Sequence, residues 1–193
     1  KIDVGSGVPI SLGNVIRPVL VPAAKSTIRL LTGSSGGNII IGGVGTALGQ
    51  FDTVTFTTSG VPNTTTVGSS NVGGDVFCES ISFGTGGTLF LRGGINTNDT
   101  AFSVTNRPIQ LDNSPATTAT NVVINTVGTN TGLGADITFQ ASEPIDSDSS
   151  LMLPTIRNLT LLSGAAGDIT VNDVGVTSRI TSLTALGKTV TAA

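Results

Sequence analysis

The residues with most chemical potential are three pairs of carboxylates: Asp146 with Asp148, Asp168 with Asp173, and Asp75 with Glu79. In an extended chain Asp146 and Asp148 fall on one face. Two carboxyls set across a sugar could serve glycoside cleavage. That chemistry usually sits in a cleft with aromatic platforms, and the chain has neither Trp nor Tyr. The acidic pairs also lie in turn-like sequence, so they read as solvated turn carboxylates. The run Asp146-Ser147-Asp148-Ser149-Ser150 offers oxygen ligands for Ca²⁺ but lacks the glycine and distal Glu of an EF-hand loop. It reads as a surface loop inside a polar insertion, Glu143 to Ser150. With no His anywhere, His-assisted nucleophilic catalysis and a Cys/His metal centre are both excluded within this chain. The lone Cys78 reads as a small core residue. Gly33-Ser34-Ser35-Gly36-Gly37 lacks a following Lys-Ser/Thr and a helix, so it is a turn and no phosphate cradle. Asn63-Thr64-Thr65, Asn98-Asp99-Thr100 and Asn158-Leu159-Thr160 match the glycosylation pattern, as chance allows in a chain rich in Thr and Asn. The expectation is a protein that is no enzyme and carries no metal or cofactor.

Composition points the same way. The chain has 193 residues, 38% hydrophobic and only 11% charged, with mean hydropathy +0.33. Soluble domains usually carry about 25% charged residues. Thr, Ser, Asn and 26 glycines fill the polar positions. A net charge of −3, with nine scattered basic residues, argues against a nucleic-acid or anionic-membrane partner. No apolar run approaches the roughly 20 residues of a membrane-spanning helix. Lys1 in place of Met leads us to expect a processed chain or a piece of a longer one.

The elements that hold these residues are strands. No segment keeps helical periodicity, whereas short runs of Val, Ile, Thr and Phe recur between Gly, Asn, Asp and Pro. Ile28 to Ile41 and Leu159 to Val171 are near copies of one strand–turn–strand unit. A small residue, then Asp or Asn, then a β-branched residue recurs at Gly37-Asn38-Ile39, Gly74-Asp75-Val76, Ala135-Asp136-Ile137 and Gly167-Asp168-Ile169. Repeats of this size must stack to bury their apolar faces. The expected fold is therefore all-β, a solenoid of parallel strands; a β-sandwich is the alternative. Within Asp75 to Phe83 a corner near Glu79-Ser80 is expected, making two short strands, because one straight strand would put Glu79 on the same face as Phe77, Ile81 and Phe83. Ser59 to Gly74 reads as a loop. Residues 1–22, interrupted by prolines, read as an irregular N-terminal strand, cap or donor segment, and 23–193 as the repeat domain.

Ile95 to Val104 and Leu159 through Thr191 resemble the repeats of filamentous haemagglutinin-like and autotransporter-type bacterial exoproteins. The resemblance implies a right-handed parallel β-helix, exported and displayed at or beyond the cell surface, and it implies no catalytic residue.

A solenoid leaves unpaired backbone on its end strands, and neither end shows a capping helix or polar repeat in sequence. The expected assembly segments are Val15, Ile16, Val19, Leu20 and Val21 near the start, and Thr189, Val190 and Thr191 near the end. Copies of the same chain, joined head to tail, are the expected partner. The expected role is a structural subunit of an extracellular filament, sheath or surface layer. The alternative is a stalk or passenger segment of a large adhesin. Without Trp or Tyr, nothing in the chain supports a receptor or glycan site.

Overall fold

A computed structural model describes residues 2–4, 8–15, 26–32, 38–57, 70–72, 74–84, 87–105, 107–111, 119–140, 144–148 and 156–192. These residues form an all-β structure in which every named strand pair is parallel. The chain visits three columns in turn and then returns to the first. The opening circuit is β1 (Ile2–Val4), β2 (Ile10–Leu12) and a bridge at Val15. The next is β3 (Thr27–Thr32), β4 (Ile39–Ile41) and a bridge at Val44. Then follow β5 (Phe51–Thr57), β6 (Ser70–Val72), β7 (Val76–Phe83), β8 (Leu89–Leu91) and β9 (Ile95–Thr97). The last are β10 (Phe102–Val104), β11 (Ile109–Leu111), β12 (Thr120–Asn125), β13 (Ile137–Phe139), β14 (Ile145–Ser147), β15 (Arg157–Val171) and β16 (Ser182–Ala192).

Strand pairing gathers these elements into two sheets. One has ten strands, curls as a half-barrel and holds the first and third columns. The other has six strands, β2-β4-β6-β8-β11-β14, and forms the second column. β7 and β15 each turn a corner, so each serves two columns. In the third column Val15, Val44, Val76, Ile95, Ile124, Leu161 and Ala185 follow one another in register. Parallel pairing requires crossover connections, which separates this architecture from the antiparallel hairpins of a sandwich.

Alternation explains which residues make strands. Ile39–Ile41, Leu89–Leu91, Phe102–Val104 and Ile137–Phe139 each bury their first and last residues and turn the middle one outward. This period-two pattern marks a sheet with one dry face. Inside, Phe56 stacks on Phe83 with centroids 5.2 Å apart. Between β7 and β10, which share no ladder among the described residues, Phe83 meets Phe102 edge-on at 6.4 Å, and Phe102 meets Phe139 at 5.8 Å.

One hydrogen-bond rule joins the circuits. Each core-facing residue donates its N–H forward, to the carbonyl just before its partner on the next circuit. Ile10 donates to Asn38, Val15 to Gly43, Val44 to Asp75, Val76 to Gly94, Leu89 to Pro108, Phe102 to Asp136, Ile109 to Pro144 and Ile145 to Asp173, all at 2.8–3.0 Å. Two of these acceptors are prolines, tolerated because each opens its strand and needs no N–H there.

Several sequence expectations change. The two near copies do not occupy the same columns: Leu30 pairs Phe56 in the first, whereas Leu161 pairs Ile124 in the third. What repeats is a strand–corner–strand unit, and it recurs at different corners. The mark of small residue, acid and β-branched residue has a physical reason. Asp75 Oδ1 accepts the N–H of Gly94 at 2.6 Å, and Asp136 Oδ1 accepts that of Asp168 at 2.8 Å, so a corner acid fastens the adjacent circuit. β7 is one continuous strand and not two. Its burial nonetheless changes phase at Glu79-Ser80, with Val76 and Cys78 inward before the corner, Ile81 and Phe83 inward after it, and Glu79 exposed. Ser70–Val72, expected in a loop, pairs with β4 and β8. The expected insertion at 143–150 contains β14, whose Ile145 is fully buried. Acidic neighbours hid its single core residue. Glycine is required where circuits touch: a Cβ on Gly93 would stand 2.1 Å from the backbone carbon of Gly74, and one on Gly74 2.5 Å from the Gly42 oxygen.

Candidate assembly surfaces

The described candidate carboxylates have partners within the chain or lie exposed. Asp146 Oδ1 accepts the N–H groups of Thr177 and Ser178 at 3.0 and 3.1 Å. Asp148 is buried at the second corner of its circuit, where both its oxygens receive the Arg157 guanidinium, Nε at 2.7 Å and Nη2 at 2.9 Å. This corrects the surface-loop reading for 146–148, where Asp148 is a core ion with both oxygens occupied, while Ser149 and Ser150 lie outside the described residues. Lys188 Nζ lies 4.0 Å from Asp168 Oδ1, and Asp173 is exposed on the neighbouring loop. Among the described residues, no three His, Cys, Asp or Glu side chains converge on a common point. Cys78 is buried opposite Phe51, and burial pushes its thiol up to about 12. Gly33 to Gly37 and Asn63 to Thr65 lie outside the described residues. Asn158 donates to Asn121 Oδ1 at 2.6 Å and accepts from Ser182 at 2.8 Å, so this sequon forms part of an amide ladder.

Sequence reasoning missed Asp99. It takes the left-handed backbone region at φ 55°, and its carboxylate accepts N–H groups from Gly128, Thr131, Gly132 and Gly134. The Thr131 and Gly128 donors lead in holding its carboxyl well below the ordinary carboxylate range. Asn98 adds a 2.6 Å bond from the Thr129 N–H. The pair therefore moulds the loop between β12 and β13. The available signal was an Asn-Asp pair ahead of a glycine-rich segment, residue types that tolerate positive φ and accept backbone donors. Arg107 was missed too. Fully buried, it donates Nε to the Gly87 carbonyl at 2.7 Å, and burial lowers its guanidinium to about 10. A cavity of about 430 Å³ opens beside the Thr46–Gly49 turn, lined by Asn14, Thr46, Ala47, Asp75, Phe77 and nearby glycines.

The ends of the stack carry the remaining candidates. Val15 belongs to the first circuit, half-buried and bridged to Val44. Ile16, Val19, Leu20 and Val21 lie outside the described residues. Thr189, Val190 and Thr191 lie in β16, opposite Asp168, Ile169 and Thr170. The structure thus places Val15 and the Thr189–Thr191 group on opposite end circuits.

Among the described residues β16 pairs with β15 alone. Leu183 stands over buried Leu159, and Val190 over buried Ile169, yet Leu183 is 39% exposed and Val190 47%. These are core positions that no circuit covers among the described residues. Leu186 beside them is 60% exposed. The result is an eleven-residue parallel edge next to an open apolar floor. On the first circuit Pro9, Ser11 and Asn14 are exposed, while Ile10 is only 4% exposed.

The chain matches no protein-family model, no curated protein and no solved structure.

Proposed function

We propose that the chain is a right-handed parallel β-helix serving as the structural subunit of an extracellular filament, sheath or surface layer. It assembles head to tail and catalyses nothing. The observation that carries this reading is β16, an eleven-residue strand that pairs with β15 alone among the described residues and whose core-column residues Leu183 and Val190 are 39% and 47% exposed. Proteins that remain single normally blunt such an edge with charge, proline, a bulge or a cover. β16 has one charged residue, Lys188. Contacts between unlike ends propagate without closing, which yields a fibre. The resemblance to bacterial exoprotein repeats supports the surface setting. In a stalk or passenger segment of a large adhesin, further circuits of the same chain would cover the same edge, and the length of the parent gene distinguishes the two.

Electron microscopy and light scattering of the undenatured protein test the reading. Regular fibres are expected, and the double variant Leu183→Lys/Val190→Lys should abolish them while leaving the circular dichroism of the strands unchanged. A wild-type chain that stays monomeric at high concentration would sink the proposal.

A further inference from the structure

The flank of the stack carries a recess that the filament reading does not use. Val15, Val44 and Val76 succeed one another in the third column. Asn14, Gly43 and Asp75 stand just before them in the chain, and Gly45 and Phe77 follow the last two. Asn14 and Asp75 are exposed and Phe77 is half-buried, as alternation requires beside inward valines. In the middle circuit both flanking positions are glycines. A Cβ on Gly43 would stand 3.0 Å from the Asp75 carbonyl oxygen and 3.5 Å from Asn14 Oδ1, between the two walls. Without it a cavity of about 430 Å³ opens, bordered by Asn14, Asp75, Phe77 and the start of the turn at Thr46 and Ala47. Small-molecule sites typically measure about 300–1,000 Å³.

The lining residues carry one formal charge. Asp75 accepts the Gly94 N–H on Oδ1 at 2.6 Å, and its Oδ2 receives no donor among the described residues. No Lys or Arg lines the space. The Phe77 ring borders it beside the carboxylate, while Asn14 adds an amide and Thr46 a hydroxyl that already accepts the Gly49 N–H. A lone carboxylate is too few oxygen ligands for a divalent metal. An anion would meet uncompensated negative charge. A carboxylate beside an aromatic ring suits an organic monocation, whose charge pairs with the one and whose alkyl groups rest against the other. We propose that this recess binds an alkylammonium ion. The ion is either a free amine or the side chain of a partner's lysine, and the space admits the alkyl stem as well as the charged head. The site lies on the flank and does not depend on the filament reading.

Saturation-transfer difference NMR of the full chain tests this, because it reads the ligand's protons whether the protein is single or assembled. The probes are choline, butylamine and the tripeptide Gly-Lys-Gly. Choline should give a saturable signal, and its uncharged tert-butyl analogue should give none. Asp75→Asn keeps an acceptor for Gly94 and removes only the charge, so it should weaken binding about fivefold. Phe77→Leu should weaken it about threefold. Asp173→Asn changes an exposed carboxylate elsewhere and should leave binding unchanged. A peptide signal at least as strong as that of butylamine assigns the site to a lysine side chain, and a signal confined to choline and butylamine assigns it to a free amine. The proposal is overturned if no probe gives a saturable signal, if the tert-butyl analogue matches choline, or if Asp173→Asn weakens binding as much as Asp75→Asn. The comparison with the analogue uses the wild-type chain and so needs no variant to fold.

Discussion

Replacing Asp148 by Asn tests the least expected feature of the interior. The Arg157 guanidinium gives Asp148 two charge-assisted hydrogen bonds, and the two side chains are 1% and 4% exposed. Water therefore cannot take over when the carboxylate charge is removed. A hydrogen bond to a charged group is worth about 1.5–3 kcal/mol, and removing one partner of a buried ion pair costs about 3–5 kcal/mol. Asn keeps one acceptor oxygen, which places Asp148→Asn near the lower figure, about 3 kcal/mol, and Asp148→Ala near the upper, about 5 kcal/mol. Urea unfolding followed by circular dichroism measures this. For a slope of about 1–3 kcal/mol per molar urea, the midpoint should fall by roughly 1–3 M with Asp148→Asn. The double variant Asp148→Leu/Arg157→Met should recover most of that loss, because an apolar pair of similar volume leaves no stranded charge. A loss below about 1 kcal/mol for Asp148→Asn, or a double variant no better than the two single losses added together, would refute the reasoning.

Two further outcomes follow from the same interior. Phe102→Ala removes the ring that joins Phe83 to Phe139 across the break in the ladder, and should cost about 3–5 kcal/mol by the same urea assay. Asp99 has a folded pKa below its unfolded one, so its contribution is present above the unfolded value, about 4, and is lost as pH falls through the folded value. Asp99→Asn should therefore flatten the acid limb of the stability–pH curve and speed proteolysis within 126–134, whereas an unchanged acid limb would count against the nest of backbone donors.

How much of this was legible in the sequence depended on the range of the interaction. Alternation is local, so strands such as Phe102–Val104 and Ile137–Phe139 announce themselves, and Cys78 reads as core because its neighbours do. The phase change at Glu79 was legible because a buried unpaired carboxylate is costly. The column to which a strand belongs was not. Ser70 pairs Leu89 while Ile109 pairs Ile145, so circuit length varies too widely for spacing to assign a face. The near copies at Ile28 and Leu159 look equivalent for this reason and sit on different columns. Arg107, Arg157 and Asp148 were missed because a buried charge is recognised only through its partner. Arg157 finds Asp148 across a corner, and Arg107 grips the Gly87 carbonyl of the preceding circuit. Of the expected assembly residues, Val190 was singled out for its place in an almost uncharged final strand, and the structure sets it over buried Ile169 with 47% of its surface exposed. Leu183 and Leu186 were not singled out, because their exposure shows only in three dimensions.

The unequal circuits have a consequence for how such a molecule can vary. Strand spacing sets the axial rise, so the seven positions from Val15 to Ala185 span roughly 30 Å whatever the length of chain between them. The short path from Ser70 to Leu89 and the long one from Ile109 to Ile145 each advance the stack by one strand. Extra residues can leave only sideways, so insertions at the corners change girth and leave length untouched. Cargo grafted at the exposed Asn130, in the loop between β12 and β13, would decorate the flank while the axial dimension, and any periodicity built on it, stayed constant.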